Sequence, residues 1–246
     1  MKRTELIMGM PITIEILGKN IEQHFETLFD YFREVDHRYS TYKAGSEISQ
    51  INRGLPEAKW TDEMKMVLAL CDQTRNDTNG YFNIKHKGKL DPSGLVKGWA
   101  INNAAGILRT KRIANFYIEA GGDIQVRGKA AKQQSWTVGI RNPFNIEEII
   151  KTISVATEGV ATSGIYIRGQ HIYDPFHPNK AIDRVKSLTV IGTNIYEADR
   201  FATAAYAMGE KGIVFIESTP GLEGYMVTDD QVATFTSGFE RYVVDA

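Results

Sequence analysis

The sequence predicts an α+β fold, with mostly antiparallel sheets packed against helices, on three observations. Long amphipathic stretches with helical spacing fill most of residues 20–109. Shorter apolar segments of strand character, bounded by Gly, Asn and Pro, follow over 114–192. Most of these strands are joined by hairpin-length turns, and helices and strands come in mixed order. No repeat, low-complexity tract or Pro-rich linker interrupts the 246 residues, which suit one domain or two intimately packed halves.

The elements follow in order. Residues 4–17 form a strand pair turned at Met8-Gly9-Met10-Pro11, with Ile12, Ile14 and Ile16 alternating. A helix spans 20–38, because Ile21, Phe25, Leu28, Phe29, Phe32 and Val35 share one face. Ser40-Thr41-Tyr42 leaves it. A short helix runs from Ser46 to Ile51, and a longer one over 61–77 ends at Asn79-Gly80. Another helix starts near Ser93 and reaches about Arg109, with Val96, Ala100, Ala104 and Ile107 inward. Strands are expected at 114–119, 123–128, 135–141, 149–156 and 184–192, with turns at Gly121-Gly122 and Asn142-Pro143. A helix covers 195–208; Asn194 caps it, and Glu197 three residues on completes a capping box. A short helix at 211–218 and closing strands over 222–243 finish the chain.

Charge is nearly balanced, 29 basic against 30 acidic residues for a net −1, and no basic run argues for nucleic acid. The single cysteine, Cys71, falls on the apolar stripe Met64, Val67, Leu68, Cys71 and reads as a core thiol. No stretch has the length of a membrane span. At the N-terminus, Glu5 interrupts the cations and no long apolar region follows, so no secretory signal is read. A cytoplasmic protein is the expectation, with an exported form left open if a signal segment has been removed.

Three distant segments carry the chemistry. Asp91-Pro92-Ser93-Gly94-Leu95-Val96-Lys97-Gly98 supplies a carboxylate, a tight turn and a cation at a helix start. Ala161-Thr162-Ser163-Gly164 reads as a small, hydroxyl-rich turn. In Glu197-Ala198-Asp199-Arg200-Phe201-Ala202-Thr203, Asp199 and Thr203 stand four apart, hence on one helical face, with Asp199 partly exposed in the first turns. From the residues alone two readings stand. Asp199 complements the helix dipole and Thr203 edges the core, or the two oxygens hold a hard cation such as Mg²⁺. Likewise Asp91 and Ser93 suit a plain turn and N-cap, and Lys97 a solvated helix lysine.

In order and spacing these segments resemble the ApbE family, the FAD:protein FMN transferases. Asp91 to Ala100 resembles its D-x-G-G-I-A-K-G-Y-A motif, Glu197 to Thr203 its E-A-D-x-x-x-T, and Ala161 to Gly164 its A-T-S-G. His171-Ile172-Tyr173-Asp174-Pro175 is similar to H-I-x-D-P, Met8-Gly9 to the start of M-G-T, Ser40-Thr41-Tyr42 to S-T-Y, and Glu119 to Asp123 to N-x-G-G-D. The resemblance implies a T-fold-like α+β arrangement. It implies Mg²⁺-dependent transfer of FMN from FAD to a Ser or Thr hydroxyl of a partner flavoprotein, releasing AMP. Mg²⁺ would be held by the Gly94 carbonyl, Asp199 and Thr203, the last two also catalytic. FAD would meet Met8, Tyr42, Asp91, Lys97, Thr162, Ser163, Gly164 and Tyr173. Where some relatives carry a histidine two residues after the A-T-S-G glycine this chain has Tyr166, and His171 is given no catalytic role. The stretch after Phe82 is shorter than the family's, so residues 82–89 are expected to be mobile, solvated and a poor flavin cover. The alternatives are an FAD pyrophosphatase giving FMN and AMP, and a flavin-binding relative without turnover.

Overall fold

The computed structural model describes residues 1–164 and 172–244. The first half contains β1 (Lys2–Ile7), β2 (Met10–Leu17), α1 (Glu22–Tyr39), α2 (Glu47–Ile51), α3 (Asp62–Asp77), β3 (Lys85–His86), β4 (Lys89–Leu90) and α4 (Ser93–Thr110). The second contains β5 (Asn115–Ala120), β6 (Asp123–Arg127), β7 (Trp136–Asn142), β8 (Asn145–Val155), β9 (Gly159–Gly164), β10 (Val185–Gly192), α5 (Ile195–Ala207), α6 (Gly212–Ser218), β11 (Glu223–Thr228) and β12 (Ala233–Phe235). The architecture is α+β, as the sequence predicts.

One eight-stranded sheet, every pairing antiparallel, orders the strands β1-β2-β5-β6-β9-β10-β11-β12. Alternation along β2 and β5 turns Ile12, Ile14, Ile16, Phe116 and Ile118 toward the helices. There they meet Phe25, Phe29 and Phe32 of α1, each fully buried and contributing roughly 1.5–3 kcal/mol. The other face carries a second core. The β7–β8 hairpin lays Trp136, Val138, Ile140 and Ile153 over Ile124, Val126 and Tyr225 of the sheet.

On β6, therefore, Ile124 and Val126 face the hairpin, and the alternate residues Asp123 and Gln125 are buried on the helix side. Gln125 is satisfied there: its Oε1 accepts from Ile195 N at the start of α5, 2.8 Å, and its Nε2 donates to Thr157 O, 2.8 Å.

Three expectations change. Ala161–Gly164 is strand, not turn: it belongs to β9, which lies between β6 and β10 with α5 packed against it. The capping box is half made. Asn194 Oδ1 accepts from Glu197 N at 3.1 Å, but the Glu197 carboxylate turns to Arg200, 2.7 Å away. Residues 85–90, expected to be solvated, keep Lys85, Lys87 and Lys89 exposed but are ordered as a hairpin turned at Lys87-Gly88. Asn52 clamps it from below, donating to Leu90 O at 2.9 Å and accepting from Leu90 N at 2.8 Å. The closing stretch is strand over β11 and β12 and ends in a helical turn at Phe239–Tyr242. No helix among the described residues is long and apolar enough to cross a membrane.

Candidate active site at a helix crossing

Helices α4 and α5 cross through two pairs of residues, each pair four apart. Gly94 and Gly98 lie on α4, and Asp199 and Thr203 on α5. The glycines let the helices touch. A Cβ on Gly98 would stand 2.6 Å from Asp199 Cβ and 2.8 Å from Ile195 O, and one on Gly94 would stand 3.1 Å from Thr203 Cγ2. Across the contact Gly98 N donates to Asp199 Oδ2 at 2.7 Å, and the Thr203 hydroxyl reaches Gly94 O at 3.4 Å.

Asp199 is 3% exposed, not partly exposed as a first-turn carboxylate would be. Its other oxygen, Oδ1, faces the Lys97 ammonium at 3.6 Å. Lys97 is not a solvated lysine either. Its side chain is 15% exposed, and its ammonium lies 2.5 Å from Asp123 Oδ2. Asp123, 1% exposed, also accepts from Thr162 N at 3.2 Å through Oδ1. Burial raises the Asp199 carboxyl well above the usual carboxylate range; Lys97 opposes the shift and Asp123 adds to it.

These groups form one wall of a cavity of about 540 Å³. Of the residues read from the sequence, Asp91, Gly94, Lys97, Thr162, Ser163, Gly164, Tyr173, Asp199 and Thr203 all line it. Met8 and Tyr42 do not: Met8 is half-buried in the β1–β2 turn, and Tyr42 is 98% exposed beyond α1. Tyr166 and His171 lie outside the described residues. Asp91 takes the capping role read for Ser93, its Oδ1 accepting from Ser93 N at 3.1 Å to satisfy a donor in the first turn of α4.

The β3–β4 hairpin makes the opposite rim. His86 packs its ring 4.2 Å from that of Tyr173, whose hydroxyl donates to Asn83 O and Lys85 O at 3.0 Å each. Behind α5, Arg200 pairs with Asp77 at 2.7 Å and with Glu197, tying the crossing to α3. Asp123 and His86 went unread in the sequence. Asp123 stands in the segment similar to N-x-G-G-D with no role of its own assigned, and His86 has no ligand spacing to mark it.

The donors that meet at the crossing are a carboxylate, a hydroxyl and a main-chain carbonyl, an all-oxygen set that fits a hard cation keeping several waters. Among the described residues no group of three or more His, Cys, Asp or Glu side chains gathers as a soft-metal cage would require.

The sequence profile of the ApbE family matches residues 8–87 and 84–226. A FAD:protein FMN transferase of Vibrio cholerae is 30% identical over 167 residues, 62% of this chain and 47% of that protein. One of Treponema pallidum is 27% identical over 168 residues, 61% of this chain and 46% of that protein. The chain thus spans about half the length of the curated relatives it matches. Among solved structures, the ApbE protein of Thermotoga maritima superposes with a TM-score of 0.87 at 19% identity, over 100% of this chain and 99% of that one. The flavin transferase ApbE of Vibrio cholerae gives 0.86 at 20%, over 98% of each.

Proposed function

This chain belongs to the ApbE family, and from that premise we propose that it transfers FMN from FAD to a Ser or Thr hydroxyl of a partner flavoprotein. The carrying observation is the α4–α5 crossing, where oxygen donors and the Lys97 ammonium share one cavity wall. The name FAD:protein FMN transferase, borne by the relatives in Vibrio cholerae and Treponema pallidum, supports the reaction class.

The acceptor hydroxyl oxygen bonds to the phosphorus on the FMN side of the diphosphate. The bond from that phosphorus to the bridging oxygen breaks, AMP leaves with the electron pair, and the hydroxyl proton is released. Asp199, the Thr203 hydroxyl and the Gly94 carbonyl would hold Mg²⁺, which supplies neutralisation of the charge that builds on the phosphate oxygens. Lys97 sets a point charge on the same wall. Asp91 and the Thr162–Gly164 strand line the cavity beside it. The hairpin, with His86 against Tyr173, forms part of the cavity's rim. The acceptor would present a flexible loop, so its contact is transient.

The test is incubation with FAD, Mg²⁺ and flavoproteins carrying a Ser/Thr flavinylation segment, read by intact mass and AMP release. An acceptor gaining one FMN, with equimolar AMP, is expected. Free FMN and AMP without acceptor would assign hydrolysis instead. Bound FAD with no AMP would leave a flavin-binding protein.

A further inference from the structure

We propose that Asp123 is a positioning residue that holds the Lys97 ammonium off Asp199, leaving Asp199 Oδ1 available to a divalent cation. The inference rests on the reading of Asp199 as a cation ligand, and it deepens that reading by assigning a residue outside the ligand set.

The observation is an asymmetry. The ammonium is 2.5 Å from Asp123 Oδ2 and 3.6 Å from Asp199 Oδ1. Both carboxylates are buried, so solvent and salt screen these contacts far less than at the surface. A lysine head on a four-carbon stem settles at the best-placed anion within reach. Placement, then, decides which carboxylate it serves.

Asp123 is placed rigidly. It opens β6 directly after Gly121-Gly122, whose φ angles of 58° and 94° are the left-handed values a two-residue hairpin turn requires. Its second oxygen accepts from Thr162 N of β9, so the carboxylate is fixed from two strands. Asp199 is oriented differently. The Gly98 amide fixes its Oδ2 and leaves Oδ1 toward the ammonium. With Asp123 neutralised, the nearest remaining carboxylate among the described residues is Asp199, and a shift of the flexible stem of about one ångström would seat the ammonium on it. An internal ammonium there occupies the oxygen that a divalent cation needs. Asp123 therefore acts through Lys97, by keeping it in place.

The experiment measures Mn²⁺ binding to the full chain without flavin, by electron paramagnetic resonance with Mg²⁺ as competitor. It compares wild type, Asp123→Asn, Lys97→Met and the double variant. Asp123→Asn should weaken Mn²⁺ binding about tenfold, and adding Lys97→Met should restore it. Lys97→Met alone should change binding much less than it does in the Asp123→Asn background. Plain through-space charge predicts the same gain in both backgrounds, and that result would overturn the proposal.

Should Asp123→Asn fail to fold, Lys97→Arg decides. A guanidinium long enough to fork between Asp123 and Asp199 should weaken Mn²⁺ binding, and unchanged affinity would overturn the proposal. Wild type that binds no divalent cation removes both the ligand reading of Asp199 and this inference. Wild type that binds Mn²⁺ with the expected coupling but transfers no FMN removes only the proposed reaction.

Discussion

Gly98 donates its main-chain N–H to Asp199 Oδ2 at 2.7 Å, across 101 residues of sequence. A carboxylate aimed by backbone cannot drift as one held by a side chain can. The site's geometry therefore depends on how closely α4 and α5 approach.

Gly98→Ala should be destabilising although alanine is the better helix former by about 1 kcal/mol. The new methyl would meet Ile195 O at 2.8 Å, a backbone atom, as well as Asp199 Cβ at 2.6 Å. Overpacking of this kind costs about 1–3 kcal/mol, so the steric effect wins. Urea unfolding measures it. A variant as stable as wild type would mean that the helices part without cost.

Burial pushes the Asp199 carboxyl up to about 8, with Lys97 opposing and Asp123 reinforcing. In the unfolded chain an aspartate titrates near 4. Between those values the folded chain holds a proton that the unfolded chain has released. This contribution is full below about 4 and is lost as pH rises through about 8. The urea midpoint of the metal-free chain should fall from pH 5 to 8.5, and Asp199→Asn should flatten that slope. A midpoint that climbs with pH in wild type, and not in the variant, would contradict the assignment.

Cys71 should be inert in the native chain. It is buried on α3, and burial raises its thiol to about 12, so the thiolate is scarce at neutral pH. A thiol reagent should label it only after urea is added. Cys71→Ser should keep the proposed FMN transfer and lose about 1–3 kcal/mol, from an unpaired hydroxyl in an apolar site. Rapid labelling of the folded protein would show that the helix opens.

Tyr173→Phe should loosen the β3–β4 hairpin. The lost hydroxyl serves Asn83 O and Lys85 O, a net contribution of about 0.5–1.5 kcal/mol. Lys85, Lys87 and Lys89 make the hairpin a trypsin substrate once it opens. Limited proteolysis should cut the variant faster there than wild type; equal rates would show that Asn52 and the His86 contact suffice.

What could be read from the chain followed periodicity. Phe25, Leu28, Phe29, Phe32 and Val35 announced α1 because a helix with one buried face must repeat its apolar residues. Asp199 and Thr203 were legible as a pair because four residues make one helical turn. Small polar residues misled. Ala161–Gly164 has turn composition yet is strand, paired along β10, because the sheet and not its own composition sets its backbone. Asp123 and Lys97 are 26 positions apart on a strand and a helix, and only the packing of α4 against β6 brings them together. The burial of Asp199 likewise depends on α4, not on its own helix.

The β7–β8 hairpin has its own core on the far side of the sheet, and none of its residues lines the cavity. Its tip, where Phe144 N bonds to the Asn142 side chain, is exposed. The sheet thus works as a bulkhead between chemistry and periphery. A fluorophore or affinity peptide grafted at Pro143-Phe144 would ride on the back of the molecule, giving tests of the proposed acceptor a label that does not touch the α4–α5 crossing.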